Sequence, residues 1–132
     1  MIMERLLIIE DNYMMRLFLV NYLDKNFWVD AVATHEEGLK KLEKSNDYAV
    51  VLSDVPNNPE NTGHFNAALG LLKSEGKDFV LLTSGDKSED RIHAMQLGAI
   101  DAMSKPFNPL ELELRIRSVV KRQTNKSNKR VA

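Results

Sequence analysis

The sequence predicts an α/β protein built on one parallel sheet. Three short apolar runs each end in polar residues: 6–11, 49–54 and 79–83. A fourth run at residues 100–104 leads directly into Lys105. Helix-like segments separate these runs, and apolar runs of this length between helices are typical of buried parallel strands. We therefore predict a doubly wound sheet whose strands all point the same way.

The first three elements follow from local patterns. A strand is predicted at residues 5–9, and a helix at residues 13–24 whose expected buried face carries Met14, Leu17, Phe18 and Leu23. Residues 28–33 form the weakest strand, because Asp30 interrupts an apolar run. An edge position tolerates such an interruption, and Trp28 is expected to be partly buried there.

Three helix starts carry capping signals. Thr34 with Glu37 three positions later forms a capping box for the second helix. Ser88 is the predicted N-cap of the fourth helix, while Asn108 and Pro109 begin the fifth. The residues expected to face inward are Ile92 and Met95 on the fourth helix, and Leu110, Leu114, Ile116, Val119 and Val120 on the fifth.

Two segments are predicted to be irregular. The loop at 55–63 contains two prolines, three asparagines and a glycine, so the third helix is expected to begin only after it. Residues 123–132 are polar and basic, without an acidic side chain, and are predicted to form a tail or linker. One folded domain is thus expected at residues 1–122.

Composition narrows the class of protein. A chain of 132 residues with 43% hydrophobic and 28% charged residues is typical of a single globular domain. Cysteine is absent, and a formal net charge of -1 makes nucleic acid an unlikely partner for the domain alone. No apolar run approaches the roughly 20 residues that span a bilayer. We expect a cytoplasmic protein with no membrane partner.

Polar residues with reactive side chains follow the predicted strands. They are Glu10 and Asp11 after the first strand, Asp54 after the third, Thr83 after the fourth and Lys105 after the fifth. The carboxyl ends of parallel strands meet at one edge of the sheet, where open α/β folds bind their ligands. The sequence therefore predicts a site that combines three carboxylates, a hydroxyl and an ammonium group.

Three carboxylates in one crevice favour a bound cation. Two carboxylates about 4 Å apart repel by roughly 4 kcal/mol at an effective dielectric constant near 20. Hard oxygen ligands without histidine or cysteine select Mg²⁺ or a similar ion. A carboxylate beside such a metal can attack phosphorus and form an aspartyl phosphate, while an ammonium and a hydroxyl bind the phosphoryl oxygens.

The pattern resembles the receiver domain of two-component response regulators. The matching residues are Glu10-Asp11, Asp54, Thr83 and Lys105-Pro106-Phe107, each after its strand, and the resemblance covers about residues 4–122. It implies a (βα)₅ flavodoxin-like sheet with strand order 2-1-3-4-5. It also implies a switching module that catalyses only its own phosphorylation and dephosphorylation, rather than a turnover enzyme.

The resemblance implies a metal site and a phosphoacceptor. Asp11 and Asp54 would bind Mg²⁺ directly, helped by the main-chain carbonyl of Pro56, and Glu10 would act through water. Asp54 would accept a phosphoryl group from a histidine kinase or phosphotransfer protein. The implied downstream partner is an output domain, a separate target or a second copy that uses the face of helix four, strand five and helix five.

Two further positions would contact the phosphoryl group. By the same resemblance these are Thr83 and Lys105, and the Lys105-Pro106 peptide would be cis.

Ala102 departs from the family, in which most members have tyrosine or phenylalanine three positions before the lysine. A degenerate receiver that acts as a constitutive scaffold therefore remains an alternative. A Mg²⁺-dependent phosphotransferase with an aspartyl phosphate is disfavoured, because such enzymes have a second aspartate where Pro56 stands.

The three histidines are predicted to lie outside the chemistry. His35 begins a helix, His64 follows the long loop and His93 lies on the fourth helix. None belongs to a motif with metal-ligand spacing, so we expect solvent-exposed or capping positions for all three.

Overall fold

The computed structural model describes residues 3–58, 60, 62–85 and 87–131, with side chains described as far as residue 125. One parallel sheet has the strand order β2-β1-β3-β4-β5, which confirms the predicted flavodoxin-like (βα)₅ fold. The strands are β1 (Arg5–Ile9), β2 (Trp28–Val32), β3 (Tyr48–Asp54), β4 (Asp78–Thr83) and β5 (Asp101–Ser104). The helices are α1 (Tyr13–Leu23), α2 (His35–Lys44), α3 (Gly63–Ser74), α4 (Ser88–Gln96) and α5 (Pro109–Val131).

Helices cover both faces of the sheet. Successive strand residues point to opposite faces, so each strand contributes to two apolar layers. One layer joins β1 and β3 to α1 and α5 through Leu6, Ile8, Leu52, Leu19, Leu23, Leu112 and Ile116. The other joins them to α2, α3 and α4 through Leu7, Ile9, Val51, Leu42, Leu69, Leu72 and Ala94. Each fully buried leucine or isoleucine stabilises the fold by about 1.5–3 kcal/mol, so the sheet is held rigidly between the layers.

Capping fixes where two of the helices begin. The Glu37 amide donates to Thr34 Oγ1 at 3.1 Å, as the predicted capping box requires. Asn108 Oδ1 accepts from the Leu110 amide at 2.9 Å, and α5 begins at Pro109. The prediction for α4 was wrong by one position, because Lys87 occupies the N-cap without a side-chain hydrogen bond.

The predicted buried face of α1 was correct for Leu23 and wrong for the other three residues. Leu19 and Leu23 are buried, whereas Met14, Leu17 and Phe18 are exposed. The helix is apolar nearly all round, so its sequence does not define one face. The edge position of β2 is confirmed, but Trp28 is 64% exposed rather than partly buried.

Two other helices show the same kind of error. On α4, Ala94 packs into the core, while Ile92 and Met95 are exposed. On α5, Ile116 and Val119 are buried as predicted and Val120 packs partly buried against the core, but Leu112 replaces Leu110 and Leu114 in the core.

The fifth helix continues through the predicted tail. α5 extends to Val131, past the expected boundary at residue 122. Gln123 Nε2 donates to the main-chain oxygen of Ala49 at 3.0 Å and to Asp78 Oδ2 at 2.7 Å. The start of the predicted tail therefore contacts β3 and β4.

Within the described ranges, none of the helices is long and apolar enough to cross a bilayer.

Candidate functional site

A cleft of about 410 Å³ opens at the carboxyl edge of the sheet. The loops that follow β1, β2, β3 and β4 line it, together with the segment after β5. Four of the predicted site residues are in its wall: Asp11, Asp54, Pro56 and Lys105. The cleft therefore lies at the carboxyl ends of the strands, where the sequence analysis predicted a site.

Three carboxylates meet beside this cleft. One oxygen from each of Glu10, Asp11 and Asp54 lies within 4.8 Å of the others. Glu10 and Asp11 follow β1, and Asp54 ends β3, which is the neighbouring strand in the sheet. Glu10 is buried and Asp11 is exposed, so the cluster has one side open to solvent.

Glu10 is held by a lysine and a main-chain amide. Lys105 Nζ lies 2.5 Å from Glu10 Oε1, and the Asn12 amide donates to Oε2 at 3.1 Å. Burial raises the pKa of Glu10, and although Lys105 and Asn12 lower it, the pKa stays above its ordinary value. The Glu10 charge is therefore costly even with its partners in place.

Asp54 has the opposite balance. Burial raises its pKa, but the hydrogen bond and charge of His35, together with the Asp11 amide and the charge of Lys105, hold the pKa of Asp54 below its ordinary value. His35 Nε2 lies 3.0 Å from Asp54 Oδ1, and the Asp11 amide donates to Oδ2 over a long 3.4 Å. Asp54 is therefore an ionised carboxylate at neutral pH, although its side chain is only 13% exposed.

The Asp54 carboxylate is incompletely hydrogen-bonded. Oδ1 is buried, and among the described residues no well-aligned hydrogen bond reaches it, because the His35 N–H points to the main-chain oxygen of Asp54. One carboxylate oxygen from each of Glu10, Asp11 and Asp54 together forms a set of hard ligands. The donor set suits a divalent ion such as Mg²⁺.

Thr83 ends β4 beside the cleft, and its hydroxyl lies close to oxygen atoms of the protein. Its Oγ1 lies 3.1 Å from the Gly85 main-chain oxygen, 3.3 Å from Ser104 Oγ and 3.4 Å from the Met103 main-chain oxygen. The single hydroxyl proton serves one of these acceptors at a time. Thr83 is thus at the predicted edge, in hydrogen-bond contact with the end of β5.

The prediction for His35 was wrong. Its side chain is mostly buried and contacts the Asp54 carboxylate, whereas His64 and His93 are exposed as expected. Burial lowers the pKa of His35, but the hydrogen bond and charge of Asp54 raise it above its ordinary value. His35 begins α2 directly after the carboxyl end of β2. The rule that gathers strand ends at one edge also applies to helix starts there, and that signal could have found it.

Comparison with known proteins decides the family. The model of the response regulator receiver domain family matches residues 6–117. The chain belongs to this family. The receiver domain is similar to a probable transcriptional regulator, ycf27, of Porphyridium aerugineum, with 34% identity over 120 residues that cover 90% of this chain and 49% of that protein. It is also similar to the CpxR homolog of Haemophilus influenzae, with 32% identity over 127 residues, or 96% of this chain and 54% of that protein.

The chain spans about half the length of these two transcriptional regulators. A solved structure of similar fold is the receiver domain of Ssk1 from Saccharomyces cerevisiae, in a co-crystal structure with the histidine phosphotransfer protein Ypd1. The TM-score is 0.77 and the identity 19%, with 92% of this chain and 91% of that chain covered.

Two further features of this receiver domain lie near β5. The Lys105-Pro106 peptide is cis, as the resemblance implied. Ala102 is buried beside a groove of about 560 Å³ whose wall includes Ile92 and Met95 of α4. The small side chain of Ala102 therefore leaves open space between α4 and β5.

Proposed function

We propose that this receiver domain accepts a phosphoryl group on Asp54. The observation that carries the proposal is the meeting of Glu10, Asp11 and Asp54 within 4.8 Å, beside Lys105. Asp54 is ionised and borders the open cleft, so an oxygen of its carboxylate can approach phosphorus. In the reaction that oxygen forms a bond to phosphorus, and the bond to the donor breaks with its electron pair on the donor.

Residues of this chain would bind the metal ion and stabilise the negative charge of the phosphoryl group. Glu10, Asp11 and Asp54 would hold Mg²⁺, with the carbonyl of Pro56 as a further ligand by resemblance. When bound, this ion neutralises charge on the phosphoryl oxygens. Lys105 would exchange its contact with Glu10 for one with the phosphoryl group, and Thr83 would turn its hydroxyl toward the same group.

We propose a histidine kinase or phosphotransfer protein as the phosphoryl donor. Next to the cleft, α1 exposes four large apolar side chains that are 42% to 68% exposed: Tyr13, Met14, Leu17 and Phe18. A contiguous apolar face on a helix favours docking of another protein. The similar Ssk1 receiver domain, which was solved together with Ypd1, supports this class of partner.

The output would pass to another domain or protein. Because the relatives are about twice as long and are named as transcriptional regulators, we propose an output domain or target protein that works with this chain in the cytoplasm. The groove between α4 and β5, with exposed Ile92 and Met95, supports a partner or a second copy on the face of α4, β5 and α5.

Mass spectrometry tests the phosphoacceptor directly. The purified protein is incubated with Mg²⁺ and acetyl phosphate, and its intact mass is expected to increase by one phosphoryl group. Asp54→Asn should remain unmodified, whereas Asp47→Asn, an identical change at an exposed aspartate, should be modified like the wild type. An unmodified wild-type protein would favour the alternative, a degenerate receiver that acts as a constitutive scaffold.

A further inference from the structure

The imidazole of His35 contacts Asp54 at two points. Nε2 lies 3.0 Å from Asp54 Oδ1 and 3.2 Å from the main-chain oxygen of the same residue. Two oxygens that face one ring nitrogen require a proton on that nitrogen. His35 Nε2 is therefore a hydrogen-bond donor directed at Asp54.

The ring is held in this orientation from two sides. Phe65 of α3 is buried and meets the imidazole edge to face, with 5.2 Å between the ring centroids. Thr34 caps α2 and so fixes the main chain at the residue before His35. The donor is thus positioned before any reaction begins, which is what makes a polar group effective in catalysis.

The two oxygens of the Asp54 carboxylate have different neighbours. Oδ2 accepts the long hydrogen bond from the Asp11 amide, on the side of the acidic cluster. Oδ1 faces His35, whose N–H is shared with the main-chain oxygen. When negative charge grows on the carboxylate, the same N–H is close enough to turn toward Oδ1.

We propose that His35 stabilises the Asp54 carboxylate as it leaves phosphorus when the aspartyl phosphate is hydrolysed. This inference rests on the phosphoacceptor role proposed above. In the step, a water oxygen forms a bond to phosphorus, and the bond between phosphorus and the Asp54 oxygen breaks. The electron pair of that bond returns to the carboxylate. One proton of the water stays on its oxygen, which becomes part of inorganic phosphate, and the other goes to a second phosphate oxygen or to solvent.

The contact acts mainly on hydrolysis and only weakly on phosphorylation. In the aspartyl phosphate the acyl group of Asp54 is uncharged, so the donor gains interaction only as the charge returns in the transition state. In phosphorylation the carboxylate is charged from the start, and the donor stabilises the reactant at least as much. His35 therefore shortens the lifetime of the phosphorylated state without speeding its formation.

Variants at position 35 test the inference. Wild type, His35→Leu and His35→Gln are phosphorylated with acetyl phosphate and Mg²⁺ and desalted, and the loss of the phosphoryl group is followed by intact mass. Leucine keeps an apolar contact for Phe65 but lacks a donor, so hydrolysis should be about tenfold slower. The glutamine amide nitrogen can take the place of Nε2, so its hydrolysis rate should stay within about threefold of wild type.

His64→Leu is the matched control, because it makes the same change at an exposed histidine, and it should hydrolyse at the wild-type rate. If His35→Leu does not fold, His35→Asn, whose side chain is too short to reach Oδ1, replaces it with the same expectation. A leucine variant that hydrolyses as fast as wild type, or a glutamine variant as slow as leucine, would overturn the role of His35. Absence of any phosphoryl group on wild type would overturn the phosphoacceptor proposal and this inference with it.

Discussion

Glu10 and Asp54 carry like charges beside one cleft, yet their surroundings act on them in opposite directions. Burial dominates at Glu10 and raises its pKa, so the folded protein binds a proton at Glu10 more tightly than the unfolded chain does. At Asp54 the effect of burial is outweighed by His35 together with the Asp11 amide and Lys105, so the pKa is lowered and folding favours the charged form. From the sequence alone, the clustering of three carboxylates predicts that Asp54→Asn relieves repulsion and stabilises the fold. The contact with His35 reverses that expectation.

Amide substitutions should therefore change stability with opposite signs. Glutamine copies protonated Glu10, so Glu10→Gln should raise the free energy of unfolding by on the order of 1 kcal/mol. Asparagine copies protonated Asp54, so Asp54→Asn should lower it by a similar amount. Urea unfolding at neutral pH with a chelator present measures both values. Shifts of the same sign in the two variants would contradict this account of the charges.

The sequence predicted that the acidic residues and Lys105 meet at the site, but it did not predict that His35 joins them. The first set lies at strand ends, and the parallel order alone brings strand ends together. His35 reaches Asp54 only because α2 begins close to the end of β2 and Phe65 supports the ring. The strand order could have placed the start of α2 at this edge, but the contact itself depends on the distance between two loops, which no pattern within one segment encodes.

Buried helix faces were harder to predict than the helices themselves. The capping residues of α2 and α5 are local signals, and both predictions were confirmed. The apolar residues of α1 and α4 do not form one clear face, and packing against the sheet selects Leu19 on α1 and the small Ala94 on α4. Small residues matter here because they let a helix approach the sheet closely.

Gly38 of α2 is such a close approach. A Cβ at this position would overlap the buried Ile9 side chain, 2.8 Å from Cγ1. Alanine favours a helix over glycine by up to about 1 kcal/mol, but overpacking a core costs about 1–3 kcal/mol. Gly38→Ala should therefore lower the free energy of unfolding by about 1 kcal/mol.

Gly70 of α3 provides the matched control. A Cβ there meets no atom within 4 Å, so Gly70→Ala should raise stability by about 0.5–1 kcal/mol through helix propensity alone. Denaturant unfolding of the two variants gives both values. Stabilisation by both would show that Ile9 moves aside without cost.

Gln123, in the second half of α5, contacts two strands that are distant in the chain. Its side-chain amide donates to the main-chain oxygen of Ala49 near the start of β3 and to the Asp78 carboxylate at the start of β4. Gln123→Ala should lower the free energy of unfolding by about 1 kcal/mol, whereas Gln96→Ala on the exposed end of α4 should have little effect.

Deleting residues 124–132 should leave the melting temperature unchanged, because the hydrogen bonds of Gln123 remain. A lower melting temperature after that deletion would place later residues within the fold.

A chain of hydrogen bonds connects the site with α4. Thr83 Oγ1 contacts Ser104 Oγ at 3.3 Å, and Arg91 Nη1 donates to the same oxygen at 2.8 Å. Ala102 lacks the aromatic ring that the family commonly places beside this region, so these polar contacts are the route we expect a signal to follow. If Thr83 turns toward a phosphoryl group, Ser104 loses one partner and its contact with Arg91 readjusts.

Ser104→Ala should therefore weaken the response of α4 to activation. Amide chemical shifts are measured with and without beryllofluoride, which imitates the phosphoryl group and is added together with Mg²⁺. In wild type we expect changes around Asp54, in the loop after β4 and along α4. In Ser104→Ala the changes near Asp54 should persist, because the acidic cluster is intact. The changes on α4 should fall by about half or more for a coupling on the order of 1 kcal/mol.

Ser74→Ala is the control. It removes an exposed hydroxyl at the end of α3 and should respond like wild type. Full α4 changes in Ser104→Ala, or changes in wild type confined to α1, would show that the signal takes another route.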